Sequence, residues 1–263
     1  MDLGLRGKVA LVAAASRGLG RAIAEALAAE GASLVICARG EEALAETGSA
    51  IAERTGVEVE AVAADVSTPE GMSRAWAHAR DRFGRVDVLV TNAGGPPSGP
   101  FEAHDWDAWQ HAVELTLRSA VELTRLALPG MKERQWGRII NVTSIAVKQP
   151  VDGLILSNSL RAAVTGFART LANEVARYGI TVNNIMPGYT RTERVEQLNA
   201  ATAEREGVSV EDVARRIEAQ IPMRRLGEPH EFAALAAFLA SESAGYITAQ
   251  SIAVDGGWIR SVL

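Results

Sequence analysis

Short apolar runs alternate along this chain with longer stretches of helical periodicity, and that alternation restricts the fold more than any other feature. The runs are Val9–Ala13, Ser33–Cys37, Glu58–Ala63, Val86–Thr91, Arg138–Val142, Thr181–Ile185 and Ile252–Val254. The helical patterns cover about 18–29, 41–54, 69–83, 105–134, 154–178 and 229–241. Several runs are apolar throughout, as expected of strands covered on both faces. Joining such strands through helices requires right-handed βαβ crossovers, so the pattern predicts an α/β fold with a doubly wound parallel sheet of about seven strands. With no repeat and no low-complexity linker, residues 1–263 read as a single domain.

Composition removes several function classes. A net charge of −5 and a pI near 5.5 give no general attraction to nucleic acid or anionic lipid, because phosphate binding needs clustered Lys and Arg. Cys37 stands alone, so no internal disulfide is expected and a cytoplasmic location is the default. Arg6 and Lys8 ahead of Val9–Ala15 superficially imitate a secretory leader, but a Gly-rich turn and an amphipathic helix follow directly, so the run reads as a first strand. No stretch approaches the ~20 apolar residues of a membrane span. His78, His104, His111 and His230 lack metal-ligand spacing, and Ser144 lies outside a G-x-S-x-G frame, so neither a metal centre nor a hydrolase triad is expected.

Two segments break the rhythm. Gly94–Pro100 is a loop stiffened by three prolines, and residues 189–222 form a long polar, helical excursion after the sixth strand. Long insertions at the carboxyl edge of such a sheet are where ligands bind, so 189–222 reads as a substrate lid.

The first strand runs into Ser16-Arg17-Gly18-Leu19-Gly20 at the head of a helix. A Gly-rich turn there brings backbone N–H groups and the positive helix end onto a pyrophosphate. The first glycine expected of such a turn is replaced by Ala14. After the second strand no acid stands at position 38 to hold a ribose 2′-hydroxyl; Arg39, with Arg17, suits a 2′-phosphate and favours NADP(H), with NAD(H) as the alternative. Asp65-Val66 suit the adenine edge, although Asp65 also reads as an N-cap for the helix at 69–83.

These residues, together with Asn92-Ala93-Gly94, Gly137–Val142, Ser144, Val182–Gly188, Arg225–Pro229 and Val254–Gly257, resemble the short-chain dehydrogenase/reductase family over nearly the whole chain, and the 3-oxoacyl-acyl-carrier-protein reductase branch in particular. The resemblance implies a Rossmann-like domain, a nicotinamide cofactor also touched by Pro187, Gly188 and Thr192, a small or acyl-chain carbonyl substrate, and a dimer or tetramer. It also implies a catalytic Ser, Tyr, Lys and Asn. Ser144 keeps the first; the Tyr position holds Ser157, the Lys position Arg161 and the Asn position Thr116.

Positions 157 and 161 lie one helical turn apart, so both side chains face one groove. Arg161 keeps a positive charge for ribose hydroxyls as a planar fork. A serine hydroxyl is far less acidic than a phenol and stops several ångströms short, and losing a positioned general acid costs about 10²–10⁴ in rate. The substitute donors, in order of expectation, are a water held by Ser144, Ser157 and Arg161, then Tyr189, then Lys148. Three functions compete: an NADP(H)-dependent oxidoreductase with atypical proton delivery, a catalytically silent NADP(H)-binding protein, and a lyase or isomerase using Arg161 to clamp an anion.

Overall fold

A computed structural model describes residues 2–262. Seven strands form one sheet: β1 (Val9–Ala13), β2 (Ser33–Ala38), β3 (Val59–Ala63), β4 (Val88–Thr91), β5 (Gly137–Val142), β6 (Ile180–Pro187) and β7 (Ser251–Val254). Their order is β3-β2-β1-β4-β5-β6-β7 and every pairing is parallel. The order reverses between β1 and β4, which opens a crevice above their carboxyl ends.

The helices are α1 (Gly18–Ala29), α2 (Glu41–Thr55), α3 (Pro69–Phe83), α4 (Trp106–Ala112), α5 (Ser119–Arg134), α6 (Ile155–Val175), α7 (Glu193–Glu206), α8 (Val210–Gln220) and α9 (Pro229–Ala240). Ala10 and Val12 of β1 pack with α1, α2 and α9 through Ile23, Leu27, Leu44, Ile51 and Phe232. Leu11 and Ala13 point the other way, onto Met72 of α3, Leu123 of α5 and Leu171 of α6. The period-2 alternation of a strand thus divides one apolar run between two cores, and β1, β4 and β5 are buried along their whole length.

The elements depart from the sequence expectations in three places. Residues 105–134 are one helix by pattern but are divided by a π-helical stretch, Val113–Arg118, between α4 and α5. The expected strand at 86 begins at Val88, because the buried Asp87 carboxylate is used for other purposes: it accepts the Val9 N–H at 3.0 Å and pairs with Arg85 and Arg134. Asp65 does not cap α3; Thr68 does, its hydroxyl accepting the Gly71 N–H at 3.1 Å.

Candidate active site

At the end of β1 the backbone turns sharply. Ala14 takes φ +51°, the left-handed region where glycine is favoured, and the Asn92 amide donates to its carbonyl at 3.4 Å. Gly18 also has positive φ, and a Cβ on Gly20 would lie 2.2 Å from the Ala14 oxygen, so only glycine fits. Arg17 stands at the N-cap of α1 without capping it by its side chain, which leaves the first N–H groups of the helix unsatisfied. Free N–H groups at the positive end of a helix suit a phosphate. The Ser16 carbonyl is fixed by the Thr47 hydroxyl at 3.0 Å, and Leu19 packs against the α1 core, so the turn is anchored from below.

Around this turn, Arg39 is exposed and has no ion pair among the described residues. Burial acts to raise the Asp65 pKa, but two hydrogen bonds from Ser67 and the nearby charges of Arg39 and His111 outweigh it and hold the carboxyl below its usual range. Val66 beside it is buried. A Cβ at Gly94 would meet no atom within 4 Å, so the loop after Asn92 and Ala93 is open there.

Of the four candidate catalytic positions, Ser157 and Arg161 are hydrogen-bonded to each other. Arg161 is buried, with 9% exposure, and its guanidinium donates through Nη1 to the Val142 carbonyl at 2.7 Å and through Nε to the Ser157 hydroxyl at 3.3 Å. A cavity of about 10 Å³ is lined by Thr91, Asn92, Ala93, Thr116, Val142 and Arg161. Thr116 sits on the π-helical stretch, buried, with its hydroxyl lacking a hydrogen-bond partner. Such stretches recur at functional sites because the extra residue re-aims a side chain. Ser144 lies two residues beyond Val142, half-buried, and its hydroxyl accepts the Ala146 N–H at 3.1 Å. Lys148 is exposed.

The segment after β6 closes over the crevice. A Cβ on Gly188 would lie 2.6 Å from the Asp255 backbone, so Pro187-Gly188 is pressed against the turn after β7. Tyr189 stacks edge-on against Trp258, ring centroids 5.8 Å apart, and burial raises its pKa. Its neighbours are Ile145, Ile221 and Leu226. Thr192 leans over Gly18, its Cγ2 3.7 Å from where a Cβ would be. Sequence reasoning missed the next two residues. Glu193 forms an ion pair with Arg17 across the crevice, and Arg194 donates to the Pro96 carbonyl at 2.9 Å. The available signal was an arginine in the first turn of a helix, where the dipole disfavours a cation.

The comparisons agree with this architecture. The family profile described as "Enoyl-(Acyl carrier protein) reductase" matches residues 13–259. The D-beta-hydroxybutyrate dehydrogenase of Cupriavidus necator is 37% identical over 263 residues, covering 97% of this chain and 99% of that protein. The 3-oxoacyl-[acyl-carrier-protein] reductase of Vibrio cholerae is 36% identical over 255 residues, covering 97% and 98%. The crystal structure of L-sorbose reductase from Gluconobacter frateurii, complexed with NADPH and L-sorbose, superposes with a TM-score of 0.94 at 36% identity over all of both chains. The chain belongs to the short-chain dehydrogenase/reductase family of nicotinamide-dependent oxidoreductases.

Proposed function

We propose that this protein is an NADP(H)-dependent oxidoreductase that interconverts a ketone, of 3-oxoacyl or related type, and its secondary alcohol. The observation that carries the reading is the uncapped head of α1 above the β1/β4 crevice, with a turn whose Gly20 position leaves no room for a side chain. The solved relative bound to NADPH supports the same cofactor.

Ser16, Arg17, Gly18, Leu19 and Gly20 would hold the pyrophosphate. Arg39, without an ion pair among the described residues, would meet the 2′-phosphate, Asp65 and Val66 the adenine, and Asn92, Ala93 and Gly94 the adjoining nucleoside. Pro187, Gly188 and Thr192 would flank the nicotinamide, and Arg161 its ribose. The bound nucleotide supplies or accepts the hydride. Ser144 polarises the carbonyl. Arg161 orients Ser157 through its Nε, and together with Ser144 they hold a water that delivers the proton. Thr116 lines the small cavity behind Arg161. Tyr189 is the second candidate donor: burial raises its pKa, so it gives up its proton reluctantly. Lys148 is the third. The 189–222 segment acts as the substrate lid, and the chain assembles as a dimer or tetramer.

The test is turnover of purified protein with NADPH and a panel of 3-oxoacyl thioesters, diketones and oxo acids, run beside Ser157→Tyr/Arg161→Lys. The double variant is expected to gain about 10²-fold or more in kcat, the typical contribution of a positioned general acid. NADPH binding without hydride transfer in either protein would support the catalytically silent alternative. The absence of nucleotide binding would remove both.

A further inference from the structure

We infer that the crevice binds the carboxylate of its substrate between Arg161 and Arg194, so that the ketone handled is a short oxo acid rather than a neutral carbonyl compound. This rests on the oxidoreductase reading above and narrows its substrate class.

Among the described residues neither guanidinium has an acidic partner. Among the described residues Arg161 donates only to the Val142 carbonyl and the Ser157 hydroxyl, and its Nη2 donates to nothing. Arg194 donates only to the Pro96 carbonyl. The contrast with the other deeply buried arginine is informative. Arg138 is 2% exposed, but three backbone carbonyls accept from it and the Trp136 ring lies 4.4 Å from its guanidinium carbon. Its surroundings account for it; those of Arg161 do not. A buried cation without a counter-charge costs folding free energy, and the cost is recovered when an anion arrives.

The placement of Arg194 is specific. A Cβ on Gly95 would lie 2.9 Å from its Nη2 and 3.0 Å from its Nε, so glycine is what lets the guanidinium lie across the loop that follows Asn92 and Ala93. The same Asn92 and Ala93 line the cavity that Arg161 borders. Two guanidinia therefore approach one short loop from α6 and α7. Burial, and then the charge of Arg194, push the Arg161 pKa down to about 10, so the two cations sense each other. Burial lowers the Arg194 pKa as well. The carboxylate next to Arg194 in sequence, Glu193, is engaged by Arg17. Thr192 makes no side-chain cap to α7, which leaves unsatisfied N–H groups and the positive end of that helix beside Arg194. A planar guanidinium matches a carboxylate through paired N–H groups.

In the reduction the carbonyl carbon gains a hydride from NADPH, the C=O bond becomes a C–O⁻ single bond that takes one proton, and NADP⁺ remains. The carboxylate undergoes no bond change and serves to orient the ketone toward Ser144.

The experiment is calorimetric titration of malonate, an unreactive dicarboxylate, and of dimethyl malonate into the protein alone and into its NADPH complex, with Arg194→Gln in parallel. NADPH affinity is read separately by fluorescence. Malonate is expected to bind at least about tenfold more tightly than the diester, and Arg194→Gln to weaken malonate by about tenfold or more while the folded variant keeps its NADPH affinity. In turnover, acetoacetate is expected to exceed methyl acetoacetate in kcat/KM by a similar factor. Equal binding of malonate and diester, or malonate binding indifferent to Arg194→Gln, overturns the clamp. NADPH binding and ester turnover with no preference for the acid overturn the clamp and leave the oxidoreductase standing. Malonate discrimination in a protein that binds no NADPH overturns the oxidoreductase and leaves the clamp.

Discussion

Ala14 carries the strain in the phosphate turn. An L-residue in the left-handed region pays about 1–2 kcal/mol that glycine does not, partly offset by the greater unfolded-state freedom of glycine. Ala14→Gly is accordingly expected to stabilise the protein by about 1 kcal/mol, read as a higher urea midpoint at unchanged slope; an unchanged or lower midpoint would show that the strain is relieved elsewhere. Arg161 leads to a second expectation. Its folded pKa is depressed from the ordinary guanidinium value to about 10, so it is charged in both folded and unfolded states at neutral pH. Its burial penalty is then fully present below about pH 10 and is relieved only as the folded state loses the proton above it. Burial shifts Tyr189 the other way, upward, and the serine hydroxyls do not titrate, so kcat/KM for reduction is expected to be flat from about pH 6 to 9. An inflection near neutrality would point to a proton donor other than water.

At the scale of elements, a buried polar row crosses the sheet. The Thr91 hydroxyl donates to Asn141 Oδ1 at 2.6 Å, Asn141 Nδ2 to Asn184 Oδ1 at 3.0 Å and Asn184 Nδ2 to the Ser251 hydroxyl at 3.0 Å. These residues are register partners on β4, β5, β6 and β7, so parallel pairing alone aligns the row. Asn141→Leu strands both neighbours, and at about 1–3 kcal/mol per orphaned group a loss of about 2–6 kcal/mol is expected in chemical denaturation. A loss below ~1 kcal/mol would mean that water repairs the row. The ion pair of Arg17 with Glu193 ties the phosphate turn to α7. Both side chains are more than half exposed, so it adds little stability, yet it occupies the guanidinium proposed for the nucleotide phosphates. Glu193→Gln is expected to tighten NADPH about threefold with stability nearly unchanged, and weaker binding would show that the pair assembles the site instead of competing with it. The motif Arg225–Pro229 is architectural: Arg225 pairs with Glu231, Glu228 and Glu231 form the capping box of α9, and Gly227 bonds both Tyr189 and Arg191 through its backbone, fixing the start of the 189–222 segment.

Across the whole molecule, the proposed cofactor site touches β1, β2, β3, β4, β6, α1, α6 and α7 of one continuous sheet and its cover. Occupancy there must therefore stabilise the domain as a unit: about 2.7 kcal/mol at a hundredfold excess of NADPH over its Kd, seen as a single transition moving to higher temperature. A split transition, with only part of the protein protected, would contradict a single cooperative domain. The strands, α1 to α3, α6, α9 and the α1 turn were legible in the amino-acid order, because apolar periodicity and glycine placement are local constraints that every such chain must satisfy. The same order marked Ser144, Ser157, Arg161 and Thr116 as candidates through the family resemblance, and one helical turn separates 157 from 161 whatever surrounds them. Only the tertiary structure decided that Arg161 reaches the Val142 carbonyl, that Thr116 lies on a π-helical turn with an unpartnered hydroxyl, and that Arg194 lies over Gly95 from the far side of the crevice. Arg194 and Pro96 are 98 residues apart, and a contact between such distant positions has no local periodicity to announce it. The charge balance of the site depends on which groups burial removes from water, and burial belongs to the packed molecule.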